Sequence, residues 1–181
     1  MRLFIGYKKL LAVKALHSTV EFQKEIVMFK HIFIPTDGSK LSQMAMQKAA
    51  QFAKEMGARV TIFYAKPEFP VNFYVEGVPI DTSTSEQFSE FSDKQALLIL
   101  GQAEETCAKL GVPCQAITDV GDVPYEMIVK KAIERNCDLI FMASHGRRGI
   151  TSFLLGSETY RVLTHATIPV LVFRTAEDTE E

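Results

Sequence analysis

From residue 28 onward, short unbroken apolar runs alternate with longer stretches in which apolar residues recur at every third or fourth position. The run from His31 to Thr36 ends in Asp37-Gly38, which predicts a buried strand entering a turn. Ser39 is placed to cap a helix in which Leu41, Met44, Ala45, Ala49, Phe52, Ala53 and Met56 share a face, with Gly57 just past its end. Met44, Met46 and Met56 read as core filling. Arg59 to Ala65 forms a second strand. Residues 66 to 86 hold three prolines, a glycine and a Ser/Thr cluster, so they predict a long surface connection.

Helical spacing resumes near Glu86 with Ala96, Leu100, Ala103, Cys107 and Leu110, and stops at Gly111. Cys114 to Val120 alternates as a strand does. Asp122 and Pro124 mark a helix start, and Tyr125, Ile128, Val129, Ala132 and Ile133 give that helix its apolar face. Asp138 to Ala143 is a buried strand, Ser157 to Thr167 the last helix and Pro169 to Arg174 the last strand. Five strands alternating with four helices specify an α/β fold, an open five-stranded parallel sheet with helices on both faces and right-handed crossovers. Such sheets bind ligands beyond the carboxyl ends of their strands, where the strand order reverses. The loops Pro35 to Ser39 and Ser144 to Ser157, rich in Gly, Ser, Thr and charge, are therefore the places to look for function.

Composition narrows the class. The 181 residues are 47% hydrophobic and 23% charged, which is ordinary for a globular chain of one domain and excludes collagen, disulfide-scaffold and disordered classes. A net charge of -2 gives no broad basic footprint for nucleic acid, and no apolar run reaches the roughly 18 residues of a membrane span. Cys107, Cys114 and Cys137 match neither a zinc site nor a redox pair; they read as core filling in a reducing cytoplasm. Residues 1–27 carry five basic and two acidic side chains (+3), against 15 and 20 (-5) in residues 28–181. Lysines interrupt every apolar run there, which disfavours a secretory signal, although Leu3 to Leu16 would suit a basic amphipathic helix. Lys24-Glu25 can be encoded as a purine-rich ribosome-binding sequence two codons before Met28. The expectation is that Met28 is the natural start, that residues 1–27 are an untranslated or disordered leader, that residues 28–175 are the domain and that residues 176–181 form an acidic tail.

The chemistry concentrates between Phe141 and Ser157. Gly146 allows close backbone approach to a bulky anion, and Gly156-Ser157 places unpaired amide N–H groups and a hydroxyl at a helix N-terminus, where phosphate is favoured. Arg147 and Arg148 add positive charge. Backbone donors with guanidinium groups suit a triphosphate. The P-loop and dinucleotide glycine patterns are missing, and no paired acid and base or glycine-flanking lysine marks an enzyme of phosphoryl transfer.

Those residues carry a resemblance. The opening Phe29-Lys-His-Ile-Phe-Ile-Pro-Thr-Asp-Gly-Ser39, the closing Pro169-Val-Leu-Val-Phe173 and the spacing Ala143-x2-Gly146-x9-Gly156-Ser157 resemble the nucleotide-binding branch of the universal stress protein family over nearly all of residues 29 to 175. Ala143 departs from the glycine that opens the family pattern and adds a methyl group near the phosphates. The resemblance implies strand order 3-2-1-4-5 and an ATP-binding regulatory or protective dimer rather than an enzyme, in the cytoplasm, with Mg²⁺ or Mn²⁺ accompanying the phosphates. It places Pro35, Thr36 and Asp37 against the nucleoside, with Asp37 near the ribose, and the main chain of Ala65 at the adenine edge. Met142, Ala143, Ser144, His145 and Gly146 would wrap the ribose and phosphates, and Gly156, Ser157 and Glu158 would hold the terminal phosphates. Dimerisation would use the last strand, with Val170 and Val172 as its apolar face. Open alternatives are a slow ATP hydrolase or adenylyl-transfer enzyme on the same sheet, and a stress dimer without nucleotide. At single positions, Asp37 could serve the turn or a helix cap, His145 could pack or act as a base, and the arginines could face solvent.

Overall fold

The computed structural model describes residues 28–69, 82–146 and 155–175. The leader, the acidic tail, Arg147 and Arg148 lie outside the described residues. In chain order the elements are β1 (His31–Pro35), α1 (Lys40–Met56), β2 (Arg59–Lys66), α2 (Thr82–Leu110), β3 (Cys114–Val120), α3 (Pro124–Glu134), β4 (Leu139–Ala143), α4 (Ser157–His165) and β5 (Val170–Phe173). The strands form one parallel sheet in the order β3-β2-β1-β4-β5.

Alternation along the central strands sorts the core into two layers, because successive side chains of a strand point to opposite faces. Ile32 and Ile34 of β1, Val60 and Ile62 of β2, and Leu139 and Phe141 of β4 meet α1 and α2 on one face. Phe33, Phe63, Ile140 and Met142 meet Ile128 and Ala132 of α3 and Val162 of α4 on the other. Each fully buried side chain of this size contributes about 1.5–3 kcal/mol, so the middle of the sheet is the rigid part of the molecule. Burial on both faces also explains why these strands read as unbroken apolar runs.

The helix ends follow the predicted chemistry. Ser39 Oγ accepts from the amide of Ser42, and Gly57 closes α1 in the left-handed region at φ 63°. Gly111 ends α2 in the same way at φ 70°. Three expectations are corrected. The helix expected near Glu86 begins at Thr82, because a Ser/Thr run is as much at home in a first helical turn as in a loop. Met44 is 37% exposed; the buried stripe of α1 passes through Ser42, Ala45, Met46, Ala49, Ala50 and Ala53 instead. Ile133 is 50% exposed, since the eleven-residue α3 faces the sheet through Ile128 and Ala132 and turns the next position outward.

The thiols behave as core atoms. Burial pushes those of Cys107 and Cys137 up to about 12, so neither ionises near neutral pH. At the edge of the sheet, Val170 packs on the α3 and α4 side, while Leu171 and Phe173 pack on the α1 and α2 side. No helix of the described residues is long and apolar enough to cross a membrane.

Candidate functional site

A cavity of about 520 Å³ opens at the carboxyl ends of β1, β2 and β4, where the order of strands reverses. Its floor is Phe63, Ile128 and Met142, and its walls are the turns that follow the strands. Eleven of the fourteen residues expected at the site line it: Pro35, Thr36, Asp37, Ala65, Met142, Ala143, His145, Gly146, Gly156, Ser157 and Glu158. Ser144 lies beneath the surface at 1% exposure and is not part of the lining.

The turn after β1 is held by its own side chains. Thr36 donates its amide to the Phe63 carbonyl, its Oγ1 accepts from the Gly38 amide, and it exchanges a hydrogen bond of 3.1 Å with Ser42 Oγ. Asp37 Oδ1 accepts from the Ser39 amide at 3.0 Å, the turn role that its sequence position allowed. Its other oxygen faces Gly146: a β-carbon there would stand 2.5 Å from Asp37 Oδ2. Glycine at 146 thus lets the loop after β4 close against the loop after β1.

The turn into α4 is held by main chain. The Gly156 amide donates to the Ser144 carbonyl at 2.8 Å. This corrects the expectation that the amide would be unpaired, since the loop after β4 returns to its own start and consumes it. A β-carbon on Gly156 would meet His145 Cα at 3.0 Å, so any larger residue here must push this backbone aside by a few tenths of an ångström. α4 opens without a side-chain cap, and its first intrahelical acceptor is the Gly156 carbonyl, taken by Tyr160. The amides of Ser157, Glu158 and Thr159 therefore begin the helix beside the cavity without an intrahelical partner.

Charge around the cavity is acidic and engaged. The lining carboxylates are Asp37, Asp122 and Glu158, and no lysine or arginine lines it among the described residues. Asp122 accepts from the Glu68 amide at 3.0 Å and joins the loops after β2 and β3. Glu158 accepts from the Tyr125 amide at 2.9 Å and so stabilises the N-terminus of α3. Any anion in this cavity is received by helix amides rather than by described cationic side chains. Among the described residues no group of three or more His, Cys, Asp or Glu converges to hold a metal ion.

Sequence reasoning passed over several lining residues. Thr159, 2% exposed, donates its hydroxyl to the Ala143 carbonyl at 3.0 Å and fixes the start of α4 to the end of β4. Its signal was a threonine in a first helical turn, which is too common to single out. Asp122 and Pro124 read only as a helix start and Gly121 carried no signal, yet parallel order brings the loop after β3 to the same end of the sheet.

The decisive comparison is with family models: the Universal stress protein family matches residues 28–174. The chain belongs to that family. A universal stress protein of Methanocaldococcus jannaschii is 34% identical over 147 residues, covering 81% of this chain and 83% of the relative. A universal stress protein crystallised in complex with cAMP superposes with a TM-score of 0.61 at 23% identity, covering 82% of this chain and 99% of that one. A family member from Arabidopsis thaliana with AMP bound superposes at 0.59 and 18% identity, covering 84% and 96%. At these identities the two structures share the fold with this universal stress protein.

Proposed function

We propose that this universal stress protein binds an adenine nucleotide, with ATP as the leading candidate, in the cavity at the carboxyl ends of β1, β2 and β4. It would act as a cytoplasmic, dimeric, nucleotide-dependent regulatory or protective module rather than as an enzyme. The observation that carries this reading is the cradle between the two glycine-bearing loops. A β-carbon at Gly146 would press on the Asp37 carboxylate and one at Gly156 would crowd His145 Cα at 3.0 Å, and the first-turn amides of α4 border the space between these loops. A cavity of about 520 Å³ falls within the roughly 300–1,000 Å³ usual for small-ligand sites. Relatives of the same fold carry cAMP and AMP.

In this reading the apolar floor receives the base, with the main chain of Ala65 at its edge, and Pro35, Thr36 and Asp37 lie against the nucleoside. Met142 to Gly146 follow the ribose and phosphates, while the amides of Ser157 and Glu158 receive the terminal phosphates at the positive end of the α4 dipole. Gly156 serves by shape, since its amide is already used. Arg147 and Arg148 follow directly on this loop and would supply cationic charge that the described lining lacks. A Mg²⁺ or Mn²⁺ ion would be held chiefly by the phosphates. Dimerisation would run through β5, with Val172 half-buried at the sheet edge and Val170 shared with the internal core. The lining carboxylates all accept backbone hydrogen bonds, which suits holding a ligand more than proton transfer.

The test is chemical. Purified protein is denatured, and released small molecules are identified by chromatography and mass spectrometry; ATP, ADP and AMP are then titrated in a thermal-shift assay. Adenine nucleotide in the extract and a rise in melting temperature are expected. A protein with neither would be the nucleotide-free stress dimer. Robust phosphate release that survives purification and is lost in Gly156→Val would make it an enzyme.

A further inference from the structure

α2 leaves an apolar strip uncovered on the side turned away from the sheet. Phe91, Leu97 and Leu98 are 61%, 74% and 59% exposed, whereas Ala96, Leu100, Ala103 and Cys107 on the opposite side are buried. With 29 residues the helix is about 44 Å long. At 100° per residue, Phe91, Leu98, Gly101 and Ala108 share the exposed face with two ion pairs, Glu90–Lys94 at 3.8 Å and Glu105–Lys109 at 2.8 Å.

Four pairs of positions on this side of the helix are complementary about a point between Ile99 and Leu100, while Leu97 falls opposite Gln102. Turned end for end about that point, the helix sets Glu90 opposite Lys109, Lys94 opposite Glu105, Phe91 opposite Ala108 and Leu98 opposite Gly101. Each pairing joins opposite charges or a large side chain to a small one. At Gly101, which is exposed, nothing stands within 4 Å of where a β-carbon would be, so the helix backbone there is open to close approach. A large residue beside a small one across a two-fold axis is what close helix packing needs, and complementary flanking charges fix the orientation.

We infer that α2 pairs antiparallel with α2 of a second copy of this chain, with Leu98 of each copy seated over Gly101 of the other. The two intrahelical ion pairs then become a four-charge cluster at each end of the contact. α2 packs over β2 and β3, whereas β5 forms the opposite edge of the sheet. The contact is thus separate from association through β5, and the two can coexist. A single pair of helices gives an interface at the small end of the stable range, so association is expected to depend on protein concentration.

Sedimentation velocity over a concentration series tests this with the full chain. Wild type is expected to show a concentration-dependent step that Leu98→Glu weakens at least tenfold. Lys94→Glu and Glu105→Lys, each measured alone, set like charges opposite one another and weaken the step too. An equimolar mixture of these two variants is expected to recover it, because the mixed pair joins opposite charges at both positions again. All of these residues are exposed, so circular dichroism melting should stay close to wild type, lowered slightly in the two charge variants by the like pair each creates within α2, and any association through β5 persists in every variant. Wild type without the step, Leu98→Glu associating normally, or a mixture that fails to recover would each overturn the inference.

Discussion

The two ends of this sheet are built from the same strands and use polar groups in opposite ways. At the amino end, Asp138 Oδ2 and Oδ1 accept from the amides of Lys30 and His31 at 2.8 and 3.0 Å, and buried His31 shares a 2.7 Å hydrogen bond with Thr61 through Nε2. These bonds tie the starts of β1, β2 and β4 directly to one another. At the carboxyl end, Asp122 and Glu158 accept backbone amides from elements that stand apart and Asp37 accepts one within its own turn, so they brace walls around a space. The lesson is that a hydrogen-bonded carboxylate can seal or can shape. Which of these it does depends on whether its partners belong to adjacent strands or to the turns that follow them.

The largest expected effect breaks the sealed end. Asp138→Ala strands two backbone amides and should lower unfolding free energy by about 2–4 kcal/mol in urea titrations. It should leave nucleotide affinity near wild type, and a large loss of affinity would show that the ends are not separable. At the open end, Gly156→Val drives a branched side chain into His145 Cα. It is expected to cost about 1–3 kcal/mol of stability and to weaken adenine nucleotide binding at least tenfold by calorimetry. Full affinity in that variant would remove the cradle from the proposal. Thr159→Val deletes the hydroxyl that fixes α4 to β4 and should cost about 1–2 kcal/mol, read by thermal melting, with a smaller loss of affinity.

The smallest effect sharpens the comparison through pH. Burial first, and then the Arg59 guanidinium, hold the His31 imidazole below its ordinary value of 6.5, opposed more weakly by the backbone of Asn136 and by Asp138. In the unfolded chain the group titrates near 6.5, so below that pH the unfolded state takes up a proton that the folded state still refuses. Stability is therefore full above 6.5 and falls on acidification, until the folded imidazole also protonates. A melting series from pH 8 to 5 should show this fall in wild type and a shallower one in His31→Gln. Equal slopes would mean that the amino end contributes nothing to acid sensitivity.

The alternation of apolar runs and helical stripes determined the parallel sheet and its four helices, because burial of strands on both faces leaves a one-dimensional trace in the sequence. The glycines at 146 and 156 could be read for the same kind of reason: both stand on the cavity wall where a β-carbon would crowd a neighbour, Asp37 in one case and His145 Cα in the other, and that constraint is written as residue type. Tertiary structure alone decided what each amide and carboxylate does. Gly156 spends its N–H on Ser144, Glu158 serves the N-terminus of α3, and Thr159 and Asp122 join the site from positions that carry no distinctive local pattern. Met44 and Ile133 face outward although their spacing suits the core, since a periodic stripe fixes a face only to within one residue's rotation. Hydrogen-bond partners are chosen by neighbours far away in the chain, and a sequence records the residue but not the neighbour.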